Sequence, residues 1–406
     1  MWDRTICVMG RLLDQDDGIG IYGLNLMREL LELDARTRYL ILLQTTKTKD
    51  LFASYENADV RVLPARNKLY WDQIAVPLAA RRSGAGMIFN PKFSIPFFTS
   101  LPCIFVQQGS DWYINPENYP WWDNLYIRLM LPLYSRKAAR TLAISQATLD
   151  DLARHTRIDV SESVVSYAGV APNFTPDRDP QALARFKAEH QLPGRFILAV
   201  ARTHHGADRR MRTYPGGNTG RLLRAYRKYR QRGGQVSLVI AGTRIEQYLR
   251  SCGFTDADLA DVRFVGFVPN ERLHLAYQLA DCFVTATLCE SFGIPIVEAL
   301  ATGCPAIVPT TCASPEIAGG AARLFDPLDE EQLAQALADV TGSPTLRKEM
   351  RERGRRRAQA LTWRKTAQRT LEVFDELLPR AMAPAGRGPR AGRLERAAHR
   401  RSSAAG

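Results

Sequence analysis

The sequence predicts an α/β protein in which two doubly wound parallel sheets face each other. Short apolar runs that suit buried strands alternate with longer amphipathic runs that suit helices, and they do so in both halves of the chain. A segment rich in Pro and Asp, residues 171–180, separates the halves as a linker. The 406 residues are enough for two hydrophobic cores.

The predicted strands follow the apolar runs. In the first half they lie at 5–9, 39–43, 59–63, 87–91, 102–106, 141–145 and 163–170. In the second half they lie at 195–201, 236–242, 262–268, 281–286, 306–309 and 322–325. Apolar residues at helical spacing predict helices after a Gly-rich turn at 17–23, at 123–139, after a Ser145 cap, at 218–230 and at 270–280. Three helical segments are expected within 329–378, and the last begins at Trp363.

The net charge of +13 narrows the class of partner. The tail from Ala381 carries six Arg and one Glu, which supplies +5 and leaves +8 on the body. Such a body attracts nucleic acid, anionic lipid or a phosphate-bearing substrate. Because no nucleic-acid module is visible, the last two are favoured, and the Arg-, Gly- and Pro-rich tail is expected to be disordered.

Cysteine and histidine spacings predict neither disulfides nor metal sites. The seven cysteines form no C-x-x-C pair, and the six histidines show no H-x-x-x-H spacing. The cysteines are therefore predicted to be reduced and mostly buried. The start of the chain, Met1–Thr5, carries an acid and has too short an apolar stretch for a signal peptide. No apolar run has the length needed for a membrane span. A cytoplasmic protein, with contact to the inner face of the membrane as an option, is the expectation.

One stretch, Glu290 to Glu298, carries the strongest functional signal. It follows a predicted buried strand, and Gly293 and Pro295 suit the opening of a helix. The N–H groups of Phe292, Gly293 and Ile294 would then point out of a helix N-terminus, which favours anions. Carboxylates accept hydrogen bonds from sugar hydroxyls, so the stretch suits a nucleotide sugar. The alternative is an amphipathic helix with two solvated acids.

Two further motifs follow at regular spacing. Gly303-Cys304-Pro305 forms a turn before a strand, and Ser314-Pro315-Glu316-Ile317 comes after that strand. In this order the residues resemble the retaining GT-B glycosyltransferases of family 4, also called glycosyl transferases group 1. The resemblance implies two Rossmann-like domains facing a cleft. It also implies a UDP- or GDP-linked sugar donor and a glycan or lipid-linked acceptor. No D-x-D that suits a metal clamp follows a predicted strand, and Asp256-Ala257-Asp258 lies in a polar connection, so neither a metal nor a cofactor is expected.

The resemblance assigns roles to residues around the E-x7-E stretch. Glu290 would bind the donor sugar's hydroxyls or stabilise positive charge on its ring, and Glu298 would bind the ribose. The backbone of residues 292–294 would hold the β-phosphate. The turn from Gly266 to Val268 would flank the base.

The same resemblance places cations against the diphosphate. Arg202, after the first strand of the second half, matches one expected cation. The expected Lys falls on Gly217, which is a departure. The loop between them carries Arg209, Arg210 and Arg212, which could replace that charge or could be a solvated basic loop.

The N-terminal half should supply the other wall of the cleft. Ligands bind at strand C-termini of open α/β sheets, so the loop from Gln107 to Asp111 is a candidate. Gln108 most closely matches a family His that contacts the donor sugar. An amide can donate that bond but cannot change charge. The Gly-rich loop with Gly18 and Gly20 would lie at the cleft near the acceptor. Five aromatics in 112–122 suit a packed lid, an acceptor-sugar platform or a membrane contact.

The expected organisation has four parts. Residues 1–171 form an acceptor-side domain, 172–362 a donor-binding domain, 363–380 a helix crossing back, and 381–406 a basic tail. Two other functions stay open. A non-catalytic glycosyltransferase-like binding protein is suggested by Gln108 and Gly217. A dinucleotide-binding enzyme is suggested by Gly18-Ile19-Gly20, although Gln44-Thr45 stands where its acid would be expected.

Overall fold

The structure is a computed structural model. It describes residues 2–15, 18–65, 67–114, 116, 119–201, 203–205, 211–213 and 218–378. Within these ranges the chain forms two parallel sheets, a two-stranded hairpin and the helices that cover them.

The first sheet has seven parallel strands in the order β3-β2-β1-β4-β5-β6-β7. They are β1 (Arg4–Met9), β2 (Thr37–Leu43), β3 (Ala58–Val62), β4 (Met87–Asn90), β5 (Cys103–Gln107), β6 (Arg140–Ala143) and β7 (Val164–Val165). The central strands are buried along nearly their whole length, as parallel strands covered on both faces should be.

Six helices accompany this sheet. They are α1 (Gly18–Leu33), α2 (Lys68–Tyr70), α3 (Val76–Arg82), α4 (Asp111–Ile114), α5 (Trp121–Lys137) and α6 (Gln146–Thr156). A π turn at Trp71–Ala75 joins α2 to α3, and 3₁₀ turns occupy Gly10–Asp14 and Lys49–Phe52. The residues around this sheet form the N-terminal domain.

The second sheet has six parallel strands in the order β12-β11-β8-β13-β14-β15. They are β8 (Phe196–Val200), β11 (Ser237–Ala241), β12 (Val262–Gly266), β13 (Cys282–Val284), β14 (Ala306–Pro309) and β15 (Arg323–Phe325). The polar loop after β8 contains an antiparallel hairpin, β9 (Thr203–His205) with β10 (Met211–Thr213), which the sequence did not predict.

Helices of the second half surround this sheet. They are α7 (Pro180–Glu189), α8 (Thr219–Gln231), α9 (Ile245–Ser251), α10 (Asp256–Leu259), α11 (Asn270–Leu279), α12 (Ile294–Thr302), α13 (Ser314–Ala318), α14 (Glu330–Gly342), α15 (Pro344–Ala358) and α16 (Trp363–Leu377). The residues around the second sheet form the C-terminal domain. The two-sheet α/β prediction is confirmed.

The final helix, α16, packs on the N-terminal domain rather than on its own sequence neighbours. Trp363 meets Tyr22 edge to face at 5.4 Å, and Phe374 meets Phe89 at 5.0 Å. The Arg4 guanidinium donates to the carbonyl oxygen of Leu378 at 2.6 Å. Helix α16 thus fills a face of the first sheet's core.

Strand order locates the ligand-binding edge of each sheet. In the first sheet the order reverses between β1 and β4, and in the second between β8 and β13. Ligands of open α/β sheets bind outside the strand C-termini at such reversals. No helix in the described ranges has the length and apolarity needed to cross a bilayer.

Candidate active site at the domain junction

The start of α12 lies at the C-terminal edge of the second sheet, directly after β13. Gly293 precedes the helix with φ +85°, and a Cβ there would come within 2.8 Å of the Ile296 side chain. Only Gly suits this conformation and space. Pro295 stands in the first turn, where an N–H would have no carbonyl partner. The N–H groups of Phe292, Gly293 and Ile294 therefore open a helix N-terminus suited to an anion.

Glu290 lies in a loop that a neighbouring loop holds in place. Its carbonyl oxygen accepts from the N–H of Ala313 at 3.1 Å. Two residues earlier, the Leu288 carbonyl accepts from the Thr311 hydroxyl at 2.7 Å. The backbone that positions the Glu290 carboxylate is thus fixed from the segment after β14.

A disulfide between Cys289 and Cys312 ties the same two loops, with their Cα atoms 5.3 Å apart. The expectation of seven reduced cysteines is therefore wrong, and the other five are free thiols. Neither half-cystine belongs to a recognisable spacing motif, because 23 residues separate them. The fold alone brings them together, as β13 and β14 are adjacent parallel strands.

Ser291 contacts the N-terminal domain directly. Its carbonyl oxygen accepts from the Ser145 hydroxyl at 2.7 Å and from the Thr148 hydroxyl at 3.3 Å. A Cβ on Gly109 would lie 2.6 Å from the Ser291 hydroxyl oxygen. The loop after β5 and the start of α6 thus close against the residue next to Glu290.

Glu316 makes a second connection between the domains. One carboxylate oxygen accepts from the N–H of Gln146 at 2.7 Å, and the other accepts from the N–H of Ala147 at 3.0 Å. A carboxylate stabilises a helix N-terminus by such bonds. The pKa of Tyr167, also in the N-terminal domain, is raised first by burial and then by its hydrogen bond to Glu316. The Ser314–Ile317 motif therefore joins the two domains through Glu316.

Glu298 is buried inside α12, with 5% of its surface exposed. Its carboxylate accepts from the Tyr277 hydroxyl at 2.9 Å. Tyr277, on α11, is itself fully buried. Glu298 is thus held in place by a neighbouring helix, which differs from the alternative of a solvated acid.

Asn218 fixes the start of α8 against the ends of two other segments. Its amide nitrogen donates to the carbonyls of Ala286 at 2.9 Å and Pro327 at 3.0 Å. It adopts the left-handed conformation, with φ +47°. The helix that follows the polar loop therefore begins beside the end of β13.

The turn after β12 lies at the same edge of the sheet. Gly266, with φ +69°, accepts at its carbonyl from the N–H of Gly242 at 2.7 Å. Val268 is buried, whereas Phe267 between them is exposed. The turn predicted to flank the base thus presents one aromatic side chain to solvent.

The Gln107–Asp111 loop is held by its own domain. The Gln108 amide donates to the Pro91 carbonyl, and the Gln107 amide donates to the Gly109 carbonyl. Gln107 is fully buried, and its amide oxygen has no partner in the structure. Asp111 begins α4, and its side chain lies outside the described part of the structure. The structure therefore brings Gly109 to Ser291 and shows Gln108 bound to Pro91.

The predicted Gly-rich turn at 17–23 is wrong in part, because α1 already begins at Gly18. Gly20 lies inside this helix, where a Cβ would overlap the Gln15 carbonyl. Nothing lies within 4 Å of a Cβ on Gly18. Close packing on the preceding 3₁₀ turn explains Gly20, so the Gly18-Ile19-Gly20 motif does not form a loop ahead of the helix as a dinucleotide site would require.

Most of the predicted diphosphate cations lie outside the described residues. Arg202, Arg209 and Arg210 are among them, and Gly217, where the family's Lys was expected, also lies outside. Arg212 belongs to β10, where it pairs with His204, but its side chain is not described. Within the described ranges, no three His, Cys, Asp or Glu side chains converge as a metal site requires. Asp256 and Asp258, the D-x-D pair in the sequence, lie in α10. There Asp256 pairs with Arg250, and Asp258 caps the helix rather than binding a metal.

Sequence reasoning missed the residues that join the domains. Ser145 was assigned only as a helix cap, which it is, since it accepts from the Thr148 N–H. Tyr277, Thr148 and the roles of Ser291 and Glu316 were not foreseen. The one available signal was the Ser314–Ile317 motif, whose order and spacing after Glu290 and Glu298 contributed to the family resemblance.

Comparison of the sequence with known protein families identifies a match in the second half of the chain. Residues 214–357 match the family described as glycosyl transferases group 1. This segment, about a third of the chain, therefore resembles a glycosyl transferases group 1 domain. The match contains Glu290, Glu298 and Glu316, so the three acids described above lie within the region that defines this family.

Similar curated proteins include sugar transferases. The serotype-specific mannosyltransferase WbdA of Escherichia coli is 23% identical over 304 residues, or 68% of this chain and 36% of WbdA. A D-inositol 3-phosphate glycosyltransferase of Salinispora arenicola is 26% identical over 64% of this chain and 58% of its own length. The chain thus spans about a third of WbdA.

Solved structures show that the group 1 domain is part of a GT-B fold. A glycosyltransferase from Rickettsia africae superposes with a TM-score of 0.71 at 15% identity, over 93% of this chain and 99% of its own. Anabaena HepE, solved with UDP and glucose, superposes with a TM-score of 0.68 at 16% identity, over 92% of this chain and all of its own. At these identities the likeness concerns the fold.

Proposed function

We propose that the protein transfers a sugar from a UDP- or GDP-linked donor to a glycan or lipid-linked acceptor, with retention of configuration and without a bound metal ion. The observation that carries the proposal is the junction at Ser291. There the Glu290 loop and the start of α12 close against Gly109 and Ser145 of the other domain. Relatives with sugar-transferase names and a structural neighbour solved with UDP and glucose support it.

In the proposed reaction the start of α12 holds the diphosphate. The helix dipole places roughly half a positive elementary charge there, and the N–H groups of residues 292–294 donate to phosphate oxygens. Arg202 and the loop arginines complete the neutralisation of the leaving group. With these cations present, the diphosphate can leave without a metal.

Glu290 stabilises positive charge that develops on the donor ring, and Glu298 binds the ribose. The Tyr277 hydroxyl holds the Glu298 carboxylate, so its orientation is set before the nucleotide arrives. Gln108 orients the donor sugar through its amide. Since an amide does not titrate near neutral pH, this role is independent of its protonation.

The acceptor enters from the N-terminal domain. Gly18 starts α1, and no described residue lies within 4 Å of a Cβ built on it; Asp111 follows the loop after β5 that meets Ser291. A surface glycan under assembly, carried on a lipid, would meet the enzyme at the inner face of the membrane. The basic tail from Ala381 would contribute to that contact through its arginines.

A thermal-shift screen of the full chain against UDP, GDP and ADP, each with EDTA, tests donor binding. One base should raise the melting temperature selectively, because a ligand at 100 times its Kd stabilises the folded state by about 2.7 kcal/mol. The matching nucleotide sugars are then assayed for hydrolysis and transfer with EDTA or Mg²⁺. Product anomeric configuration, read by NMR, tests retention.

A non-catalytic, glycan- or nucleotide-sugar-binding protein is the second candidate. It is favoured by Gln108, whose amide donates to Pro91 of its own domain. Selective nucleotide binding with neither hydrolysis nor transfer across a broad donor panel would establish it. Absence of any selective nucleotide shift would reject both candidates, and transfer that stops with EDTA would reject metal independence.

A further inference from the structure

The N-terminal domain exposes a broad set of large apolar side chains. The described residues include fifteen exposed large hydrophobics, and ten of them lie on α2, the π turn, α3, the loop before β5, and α5. These ten define the apolar face: Leu69, Tyr70, Ile74, Leu78, Phe98, Trp121, Trp122, Leu125, Leu129 and Leu133. Such clustering is unlike the scattered exposed apolar residues that every surface carries.

The three segments that form the apolar face touch one another. The Gln73 amide of the π turn donates to the Ile95 carbonyl at 3.1 Å and accepts from the Phe97 N–H at 2.8 Å. The Phe97 ring stacks on Tyr134 of α5 at 5.0 Å. Phe98, the next residue along, is 87% exposed. The loop before β5 thus bridges the two helical segments.

Both helical segments also cover the same side of the first sheet. Trp71 and Val76 share one core cluster with Ile127 and Leu131 of α5, and that cluster includes Phe105 of the sheet. Because both segments bury their inner faces on one side of the sheet, their exposed faces point outward on that side. The ten apolar side chains therefore belong to one surface.

The spacing of the exposed residues follows the helix period. On α5, Trp121, Leu125, Leu129 and Leu133 recur every four residues, with Trp122 beside them. The buried positions, Ile127, Leu131 and Tyr134, fall on the opposite side. Helix α5 thus has an apolar side toward the sheet and a second apolar side toward solvent.

The charges on this surface are nearly all positive. Residues 67–102 and 120–137 contain seven Lys or Arg and two Asp. The cations are Lys68, Arg81, Arg82, Lys92, Arg128, Arg136 and Lys137. Asp72 is buried, and Asp123 lies close enough to Lys68 to influence its charge. Lys68 and Lys92 are half-buried, so the exposed charges are those of Arg81, Arg82, Arg128, Arg136 and Lys137 against Asp123, and the surface is basic as well as apolar.

We propose that the apolar face docks onto an anionic lipid bilayer. Trp and Leu side chains enter the headgroup boundary, Trp being a residue that concentrates there, while the surrounding cations meet anionic headgroups. A protein partner would need acidic side chains to pair with these cations. A second copy of this chain could not supply them from the same face, because that face carries almost no acids. The docking goes beyond the proposed function, since it does not require that the protein transfer a sugar.

Vesicle flotation of the full chain tests the proposal, with phosphatidylcholine vesicles and vesicles containing phosphatidylglycerol. The variant Trp121→Ser/Leu125→Gln/Leu129→Gln should lower the bound fraction of anionic vesicles about tenfold or more, because buried apolar area drives insertion. Arg128→Gln/Arg136→Gln/Lys137→Gln should weaken binding to phosphatidylglycerol vesicles, and added salt should mimic that change. Brominated lipids should quench the tryptophan fluorescence of the parent. They should quench the fluorescence of the Trp121→Phe/Trp122→Phe variant less.

The control variant is Leu51→Gln/Leu328→Gln. Both residues are exposed to a similar degree, and Phe52, next to Leu51, packs on the other side of the first sheet. This control should bind vesicles like the parent. All variants substitute exposed residues, so circular dichroism and melting temperature should match those of the parent.

Three outcomes would overturn the proposal. The first is that the parent chain does not float with anionic vesicles. The second is that the apolar-face variant floats as well as the parent, while removal of residues 381–406 abolishes binding. The third outcome concerns oligomeric state. If light scattering shows that the parent is a dimer and the apolar-face variant is a monomer, while both bind vesicles equally, the face serves self-association. Nucleotide binding, measured separately, is expected to be the same in every variant, so failure here is distinguishable from failure of the proposed function.

Discussion

Ser145 of the N-terminal domain donates its hydroxyl proton to the carbonyl oxygen of Ser291 at 2.7 Å. The same hydroxyl oxygen accepts from the Thr148 N–H at 3.1 Å, which caps α6. One side chain therefore both starts a helix in one domain and positions the residue after Glu290 in the other. The geometry around Glu290 depends on contact between the domains.

Replacing Ser145 with Ala should affect stability and turnover together. Loss of an N-cap costs about 1 kcal/mol. Loss of the bond to Ser291 should also lower kcat several-fold, because Glu290 is then less well positioned. The control is Ser343→Ala, which removes the cap of α15 without touching the junction. Similar melting temperatures but different kcat values are expected, and equal kcat values in the two variants would contradict the role.

Glu290→Gln and Glu298→Gln should impair different steps, because the two carboxylates are proposed to face different rings of the donor. Glu290→Gln should lower turnover in hydrolysis or transfer. Glu298→Gln should mainly weaken nucleotide binding, by about 1–3 kcal/mol for a lost charged hydrogen bond. Tyr277→Phe should weaken it less, by about 1 kcal/mol, since only the support of Glu298 is lost.

Calorimetry with the nucleotide and a transfer assay separate these effects. Full nucleotide affinity and full transfer in both Glu variants would reject the site. If Tyr277→Phe weakens nucleotide binding as much as Glu298→Gln does, and both variants melt at a similarly lower temperature, the pair serves packing instead.

The disulfide between Cys289 and Cys312 should be visible by thiol counting. Denatured, unreduced protein should show five reactive thiols, and reduction should reveal all seven. Closing a loop of this length stabilises by about 3 kcal/mol, so dithiothreitol should lower the melting temperature. Cys252→Ser, which removes an exposed free thiol, is the control and should leave that reductant effect unchanged. Seven thiols before reduction, in protein prepared without reductant, would contradict the pairing.

The cations around the diphosphate are predicted from sequence alone. Arg202→Ala should cripple transfer, whereas Gln108→His should change it modestly, because Gln108 is proposed only to orient the sugar. Replacing Arg209, Arg210 and Arg212 together with Ala should lower activity more than Gly217→Lys raises it. Steady-state kcat/KM values test this order, and a triple variant as active as the parent would end the replacement hypothesis.

Regular structure was predictable wherever periodicity was strong. The strands of both sheets and the helix at Gly293 follow from apolar runs and from Gly and Pro chemistry, and the structure has them. The start of α1 was misplaced, because Gly20 was taken for a turn residue. In the structure it allows α1 to pack against the Gln15 carbonyl, a tertiary contact that local sequence does not reveal.

The candidate site was predictable only within continuous motifs. Glu290, Gly293 and Glu298 stand close in sequence, so their spacing indicated a common purpose. The contacts of Ser291 with Ser145 and the Cys289–Cys312 pair join segments that are distant along the chain. Only the arrangement of strands brings these residues together, and single-sequence patterns carry no record of it.

The return of α16 to the N-terminal domain also determines how the two domains can move. The chain crosses between them twice, and the crossings run side by side: Val170 bridges Thr362, and the Val170 N–H donates to the Leu361 carbonyl at 3.2 Å. A Cβ on Gly169 would overlap the Trp363 backbone, so the two crossings are in tight contact. We expect two crossings in such close contact to act as one hinge, so that the domains would move about an axis through both. The N-terminal lobe is therefore not a continuous piece of chain, and ending the chain at the second crossing would remove α16 from Tyr22 and Phe89 and leave that lobe incomplete.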